Sequence, residues 1–180
     1  MKVFISGGAK NGKSSLAQRL AREMALQDGE KPLYYIATMI PTDDEDRGRI
    51  ARHVADREGM GFVTLEKPRD IAELLMPEGE GDPEGVFLLD SVTALLANVM
   101  FGDGEPDIKA GAKVKADLLE FCRRAEKAVF VSDYIYSEAK IFDRWTEAYR
   151  EALAEVDKAL AEVCHQVLEV SYGNIIKHKG

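Results

Sequence analysis

The 180-residue sequence predicts an α/β fold, a mostly parallel sheet flanked by helices on both faces. Three observations predict it. Short apolar runs alternate with longer amphipathic segments, the pattern of parallel strands joined through helices. The first apolar run passes straight into a glycine-rich loop and then into a helical pattern. Hydrophobic residues make up 46% of the chain and charged residues 31%, so there is apolar side chain for a sizeable core and no bias toward disorder.

Taken in order, residues 3–6 form the first strand and residues 13–27 the helix after the glycine-rich loop. A strand at 33–38 precedes a helix at 43–57, which opens on Thr42-Asp43-Asp44-Glu45, the Thr-x-x-Glu form of a capping box. A strand at 62–65, a short helix at 70–76, a strand at 86–90 and helices at 92–100 and 108–127 follow. A strand at 129–132, a long helix at 138–164 and a strand at 167–170 complete the set. In the long helix, Phe142, Trp145, Tyr149, Ala152, Val156, Ala159 and Val163 recur at three-and-four spacing. That stripe reads as a core or subunit-packing face ahead of an aromatic ligand platform. Residues 77–85 and 102–107 are rich in Gly, Pro and acid and read as surface loops, not domain linkers. With no internal repeat, residues 1–180 are expected to form one domain.

Asp and Glu number 32 against 24 Lys and Arg, so a nucleic-acid backbone or an anionic membrane would meet overall repulsion. Neither partner is expected, and a polyanionic ligand needs a local positive pocket. Cys122 and Cys164 lie in helix-like stretches without a Cys-x-x-Cys pair and read as reduced structural residues. The apolar run at the N-terminus is too short for a signal peptide and no later stretch reaches membrane-spanning length, which makes the cytoplasm the expected location.

The glycine-rich loop reads Gly7-Gly8-Ala9-Lys10-Asn11-Gly12-Lys13-Ser14-Ser15 and satisfies G-x-x-x-x-G-K-S between a strand and a helix, the context a P-loop requires. Its glycines let backbone N–H groups curl around a β-phosphate of ATP or GTP. The helix N-terminus adds its positive end, and Lys13 adds a point charge to the β and γ oxygens. Ser14 is expected to ligate Mg²⁺. The companion acid is Asp90, whose place at the end of Val86-Phe87-Leu88-Leu89 suits a carboxylate held toward Mg²⁺ and its waters, although it could instead cap the next helix.

In the helix at 43–57, four-residue spacing puts Arg49, His53 and Arg57 on one face, with Ile50 and Val54 on the adjoining, core-facing side. An imidazole flanked by guanidinium groups suits binding or attack at phosphate. From spacing alone, the competing reading is an exposed helix with salt bridges among Arg49, Asp46, Asp56 and Arg57. His165 and His178 lie outside any such cluster.

These residues carry a resemblance over nearly the whole chain to the bifunctional adenosylcobinamide kinase/adenosylcobinamide-phosphate guanylyltransferase family of cobalamin biosynthesis. Its matching stretches are Gly7-Gly8-Ala9 with Gly12-Lys13-Ser14, Tyr35-Ile36-Ala37-Thr38, and Asp44-Glu45 with Arg49-Ile50, His53 and Arg57. Thr64, Glu66, Pro68, Leu88-Leu89-Asp90, Thr93 and Asn98 continue the match. The resemblance implies a transferase that uses ATP or GTP with Mg²⁺, a corrinoid substrate (adenosylcobinamide), a covalent guanylyl group on His53, and a homo-oligomer, a homotrimer in the family. It also implies nucleotide contacts at the P-loop, Ala37, Thr38, Arg57, Glu66 and Asp90, where relatives usually carry Glu. A carboxylate such as Glu66 can accept both the N1 and N2 hydrogens of guanine, which adenine does not offer.

The chain departs from the family at Lys10 (usually Arg), Asp46 (Met), Glu58 (Pro) and Phe62 (Trp). Asp133-Tyr134-Ile135-Tyr136, continuing through Ser137-Glu138-Ala139-Lys140, stands where the family has Asn-Glu-Val-Gly and a following Pro. Two other readings stay open. One is a diverged nucleotide-binding or regulatory protein without corrinoid chemistry, against which Lys13, Ser14, Asp90 and His53 argue. The other is a small-molecule kinase in which His53 is idle.

Overall fold

The computed structural model of the chain describes residues 1–27, 29–102, 104–136 and 140–180. Among the described residues seven strands form one sheet: β1 (Lys2–Gly7), β2 (Leu33–Ala37), β3 (Phe62–Glu66), β4 (Val86–Asp90), β5 (Lys127–Asp133), β6 (Gln166–Ser171) and β7 (Asn174–Lys179). Their order across the sheet is β3-β2-β4-β5-β1-β6-β7, and the first six are parallel. The strand patterns predict the parallel pairing: Phe87-Leu88-Leu89 and Val129-Phe130-Val131 are buried on both faces, as central parallel strands are.

Helices cover both faces. Helix α1 (Lys13–Gln27) lays Leu16, Ala17, Ala21 and Met24 against Val3, Ile5, Leu88 and Val129. On the other face, α3 (Val92–Phe101), α4 (Ala110–Arg124) and α5 (Arg144–Val163) meet Phe4, Phe87, Leu89 and Phe130. The rings of Phe87, Phe121 and Phe130 contact edge to face at 5.3 and 6.2 Å between centroids, an arrangement favourable beyond its buried area.

Strand β7 has no counterpart among the sequence expectations. Ser171 pairs with Asn174 across the two-residue turn Tyr172-Gly173, both with positive φ (49° and 78°), the geometry of a tight hairpin. Its sequence signal was Gly173, at the second turn position after β6. Residues 70–76 form a 3-10 turn, Ile71–Leu75, whose first two N–H groups donate to the Asp117 carboxylate. The helix expected at 108–127 ends earlier, at Arg124, because Ala125 is extended and buried on the way into β5. The long helix begins later than expected, at Arg144, where Asp143 accepts from the N–H groups of Trp145 and Thr146. The expected start at Glu138 lies outside the described residues.

The stripe along that helix is a core face for part of its length, with Trp145, Tyr149, Ala152 and Val156 packed on the core. Leu153, Val156 and Leu160 are buried, whereas Val163 is exposed and Phe142 precedes the helix. Arg150 and Asp157 are buried with the apolar residues because they hold the segment after β5. Arg150 donates to the carbonyls of Ile135, Tyr136 and Lys140, and Asp157 accepts from Ser132 Oγ (2.9 Å) and Tyr136 Oη (3.1 Å).

Burial pushes the Asp157 carboxyl up to about 7 from its ordinary 3.8, with the Ser132 and Tyr136 hydrogen bonds opposing the shift. A carboxyl that holds its proton to higher pH when folded than when unfolded stabilises least above its folded pKa. Its contribution therefore declines as pH rises through that window. Asn cannot ionise, so the Tm difference between Asp157→Asn and the wild type is expected to move in the variant's favour from about pH 5 to about pH 8. A difference that stays constant with pH in thermal unfolding would contradict the assignment.

Candidate active site

The carboxyl ends of the parallel strands build the site, as expected where helices return from them. In register, Gly7 of β1 lies beside Asp133 of β5, and Asp90 of β4 beside Val131. Between β1 and α1 the loop turns through Lys10 (φ 59°) and Gly12 (φ 87°), and Leu16 N–H closes it on the Gly12 carbonyl at 3.1 Å. Gly7 is required by close approach: a Cβ there would stand 2.4 Å from the Val170 carbonyl oxygen.

Lys13 is only 5% exposed, and its Nζ donates to the Gly8 carbonyl (2.7 Å) and to Asp133 Oδ1 (2.6 Å). Residues Ala9 to Ser15 then line a cavity of about 290 Å³ together with Arg49, Arg52, His53, Asp56, Asp90 and Asp133. Lys10, Lys13, Arg49 and Arg52 set four basic side chains against the three carboxyl groups of Asp56, Asp90 and Asp133. In a chain of net charge -8 this is the local positive pocket that a polyphosphate needs.

Asp90 is half-buried at the end of β4, and the hydroxyls of Ser14 and Tyr35 hydrogen-bond to it. Burial pushes its carboxyl up, while the neighbouring His53 and the two hydroxyls oppose that shift. Burial beside Asp90 also raises the Tyr35 hydroxyl well above its ordinary value. The joined oxygens of Ser14 and Asp90 are hard donors that suit Mg²⁺, which usually takes one or two protein ligands and completes its shell with phosphate and water. Among the described residues no cluster of three or more His, Cys, Asp or Glu is placed to hold a metal.

Helix α2 (Asp44–Asp56) differs most from expectation. Asp43, not Thr42, caps it: the Asp43 side chain accepts from Asp46 N–H (2.8 Å), and the Asp46 carboxylate reaches back to the backbone and hydroxyl of Thr42. These bonds pull the Asp46 carboxyl below the usual range. The helix buries no residue, Val54 is exposed, and Ile50 lines a cavity in place of the core. Nor do Arg49, His53 and Arg57 form one row. Arg49 faces the P-loop cavity and lies 3.8 Å from Glu45. Arg57 leaves the helix at its C-cap and turns inward, 4.1 Å from the centroid of the Tyr35 ring and 3.1 Å from Thr64 Oγ1.

Arg57 lines a second cavity of about 400 Å³ with Ala37, Ile50 and Glu66. The two cavities share Met39, His53, Asp90 and Ser91, so His53 stands at their junction. Its Nδ1 is buried without a hydrogen-bond partner among the described residues, as is Nη1 of Arg57. Thr38 is not in either wall. Its fully buried hydroxyl donates to the Ser91 carbonyl (2.9 Å) and accepts from Ser91 N–H (2.8 Å), tying β2 to β4.

Sequence reasoning missed Asp133 and Arg52 as site residues. Asp133 entered only as a departure from a family pattern, and the charge pair that would have marked it joins residues 120 apart.

A strand-to-helix glycine loop around a buried lysine, facing an acid at a neighbouring parallel strand's tip, defines the P-loop nucleotide-binding class of α/β proteins. Two solved structures share the fold. The chain superposes on a solved ATPase domain with a TM-score of 0.52 at 11% identity, over 93% of this chain and 68% of that one. A protein from Pyrococcus horikoshii OT3 gives 0.51 at 10% identity, over 99% and 86%. Within the class, residues 3–177 match the cobinamide kinase / cobinamide phosphate guanyltransferase family, and the chain belongs to that family.

The chain is 28% identical to the bifunctional adenosylcobalamin biosynthesis protein CobU of Escherichia coli (strain K12), over 99% of this chain and 100% of that protein. The CobU of Salmonella typhimurium (strain LT2) matches at the same identity and coverage. The bifunctional adenosylcobalamin biosynthesis protein CobP of Pseudomonas aeruginosa is 40% identical over 57% of this chain and 55% of its own length. No helix among the described residues is long and apolar enough to cross a membrane.

Proposed function

We propose that the chain, acting as one nucleotide-binding domain, carries out two reactions. The first is phosphoryl transfer from ATP or GTP to the aminopropanol hydroxyl of adenosylcobinamide. The second is transfer of GMP from GTP to the resulting phosphate. The observation that carries the reading is His53 at the junction of the P-loop cavity and the Glu66 and Arg57 cavity, a position open to a nucleotide that reaches into both.

In the kinase step the P-loop N–H groups and Lys13 hold the β- and γ-phosphates, and positioning with charge stabilisation is most of what phosphoryl transfer asks of a protein. Ser14 and Asp90 would hold Mg²⁺, which supplies charge neutralisation at the phosphates. In the transferase step His53 attacks the α-phosphate of GTP, the bond to the pyrophosphate breaks, and a phosphoramidate forms. The corrinoid phosphate then displaces the imidazole, a competent leaving group. Because Nδ1 is buried, Nε2 is the attacking nitrogen. Arg49 and Arg52 offset phosphate charge from the P-loop side, Arg57 from the other, and Glu66 reads guanine.

The test is incubation with γ-labelled ATP or GTP, Mg²⁺ and adenosylcobinamide, separating corrinoid from nucleotide. Label is expected on the corrinoid. Asp90→Asn is expected to lower that transfer at least tenfold while leaving Mg²⁺-free nucleotide binding within about threefold. Equal losses with and without metal would assign Asp90 a structural role. A wild type that never labels the corrinoid, yet hydrolyses nucleotide, would leave only a P-loop nucleotide hydrolase.

A further inference from the structure

The P-loop cavity contains two carboxylates that the proposed chemistry has not used, Asp56 and Asp133, and Asp133 is the one paired with Lys13. Asp133 ends β5, the strand between β1 and β4, two residues beyond the register partner of Asp90. It lines the same cavity as Lys13, Ser14 and Asp90, close enough that its charge raises the Asp90 carboxyl further. Its side chain is 32% exposed, so a substrate group can reach it.

The backbone that carries it is held from two helices. Asp133 N–H donates to Thr93 Oγ1 of α3 at 2.9 Å, and Tyr149 Oη of α5 donates to the Thr93 carbonyl at 2.7 Å. The preceding residue, Ser132, donates to buried Asp157. A carboxylate held this way is preorganised, as a reacting group must be.

Its partner gives the location relative to the substrate. Asp133 Oδ1 lies 2.6 Å from Lys13 Nζ, the ammonium expected on the β- and γ-phosphate oxygens of a bound nucleotide. The carboxylate is thus one ammonium away from the phosphoryl group to be transferred. When a triphosphate draws Lys13 toward itself, Asp133 loses its main counter-charge at the place where an acceptor hydroxyl must approach. Of the acids lining the cavity, Asp90 is bonded by Ser14, and among the described residues it is Asp133 that pairs with Lys13. Asp133-Tyr134 also stands where the family pattern has Asn-Glu, so the segment keeps a single carboxylate, one residue earlier.

We infer that Asp133 is the general base of the phosphoryl-transfer step, released for that role when Lys13 moves to the nucleotide phosphates. The acceptor O–H gives its proton to the Asp133 carboxylate as its oxygen bonds to the γ-phosphorus. The bond from that phosphorus to the β-γ bridging oxygen breaks, and the electron pair leaves with the nucleoside diphosphate. The proton then passes from Asp133 to solvent. The identity of the acceptor rests on the function proposed above, but the role of Asp133 does not, because water serves as acceptor in nucleotide hydrolysis.

The experiment follows transfer from γ-labelled nucleotide both to adenosylcobinamide and to water, in wild type, Asp133→Asn and Asp133→Ala. Positioned bases typically contribute about 10²–10⁴-fold, so Asp133→Asn is expected to lower kcat for transfer about a hundredfold. Nucleotide affinity should be unchanged or tighter, since Lys13 no longer has a competing carboxylate. Formate added to Asp133→Ala should restore part of the rate, which a merely structural residue would not allow. His53 labelling by α-labelled GTP should persist in both variants. Transfer to both acceptors within about threefold of wild type in Asp133→Asn would overturn the inference. So would a nucleotide affinity more than roughly tenfold weaker together with no formate rescue, which would make Asp133 a binding-site support only. If wild type transfers to water alone and Asp133→Asn abolishes that, the corrinoid reading falls and the base assignment stands.

Discussion

Protein given Mg²⁺ and GTP labelled at the α-phosphate is expected to retain acid-labile, base-stable label, and His53→Asn is expected to retain none. A phosphoramidate to imidazole hydrolyses in acid and survives base, which separates it from a phosphoester or an acyl phosphate. Label in the γ-position should not be retained, because pyrophosphate is the leaving group. Removing a covalent nucleophile leaves only binding and charge stabilisation, so GMP transfer should fall roughly 10³-fold or more. His53 lies on a helix that buries none of its residues, so Asn at this position should fold normally, and nucleotide binding at the P-loop should change little. Wild type that takes up no α-label, or His53→Asn that labels equally well, would sink the transferase half of the reading. Arg52→Ala is the informative companion: it lines the P-loop cavity beside His53, and its loss should slow labelling without abolishing it.

Lys13→Ala is expected to lower phosphoryl transfer by at least about two orders of magnitude, the scale on which one preorganised charge contact acts. The fold should survive. Although Lys13 itself is almost fully buried, its partner Asp133 is 32% exposed and can recruit water once the ammonium is gone. Affinity for a nucleoside triphosphate should drop more than affinity for a monophosphate, because Lys13 addresses the β and γ oxygens. Undiminished phosphorylation by this variant, measured with the γ-labelled nucleotide, would remove the P-loop from the mechanism. Combining Lys13→Ala with Asp133→Asn should give a loss well short of the product of the single losses, since the two residues are in contact and act in one step.

The sequence by itself determined what is written in short stretches of chain. Alternation of apolar runs and helical periods was enough for six parallel strands, since a strand buried on both faces must be apolar along its whole length. The spacing of glycines around Lys13, set between a strand and a helix, was enough for the phosphate loop, because its conformational needs are met within a single short stretch of chain. Asp90 was legible as an acid closing an apolar strand, whereas its hydrogen bond with Ser14, which lies far away in sequence, needed the fold.

Only the tertiary structure decided what depends on neighbours distant in sequence. Helical spacing alone put Arg49, His53 and Arg57 in one row, yet the helix stops at Asp56, and the Tyr35 ring and Thr64 draw Arg57 inward. Ile50 and Val54 read as core positions by period, but among the described residues α2 buries neither, and the space beside it is the pair of cavities that meet at His53. Arg150 and Asp157 enter the buried face of α5 because their partners, the carbonyls and hydroxyls around the end of β5, lie up to 25 residues away. Asp133 becomes part of the site only when β5 lies beside β1 and brings its carboxylate to Lys13. Periodicity reports which face of an element avoids water, while the partner that covers it, or the charge that meets it, is fixed by the order in which the strands assemble.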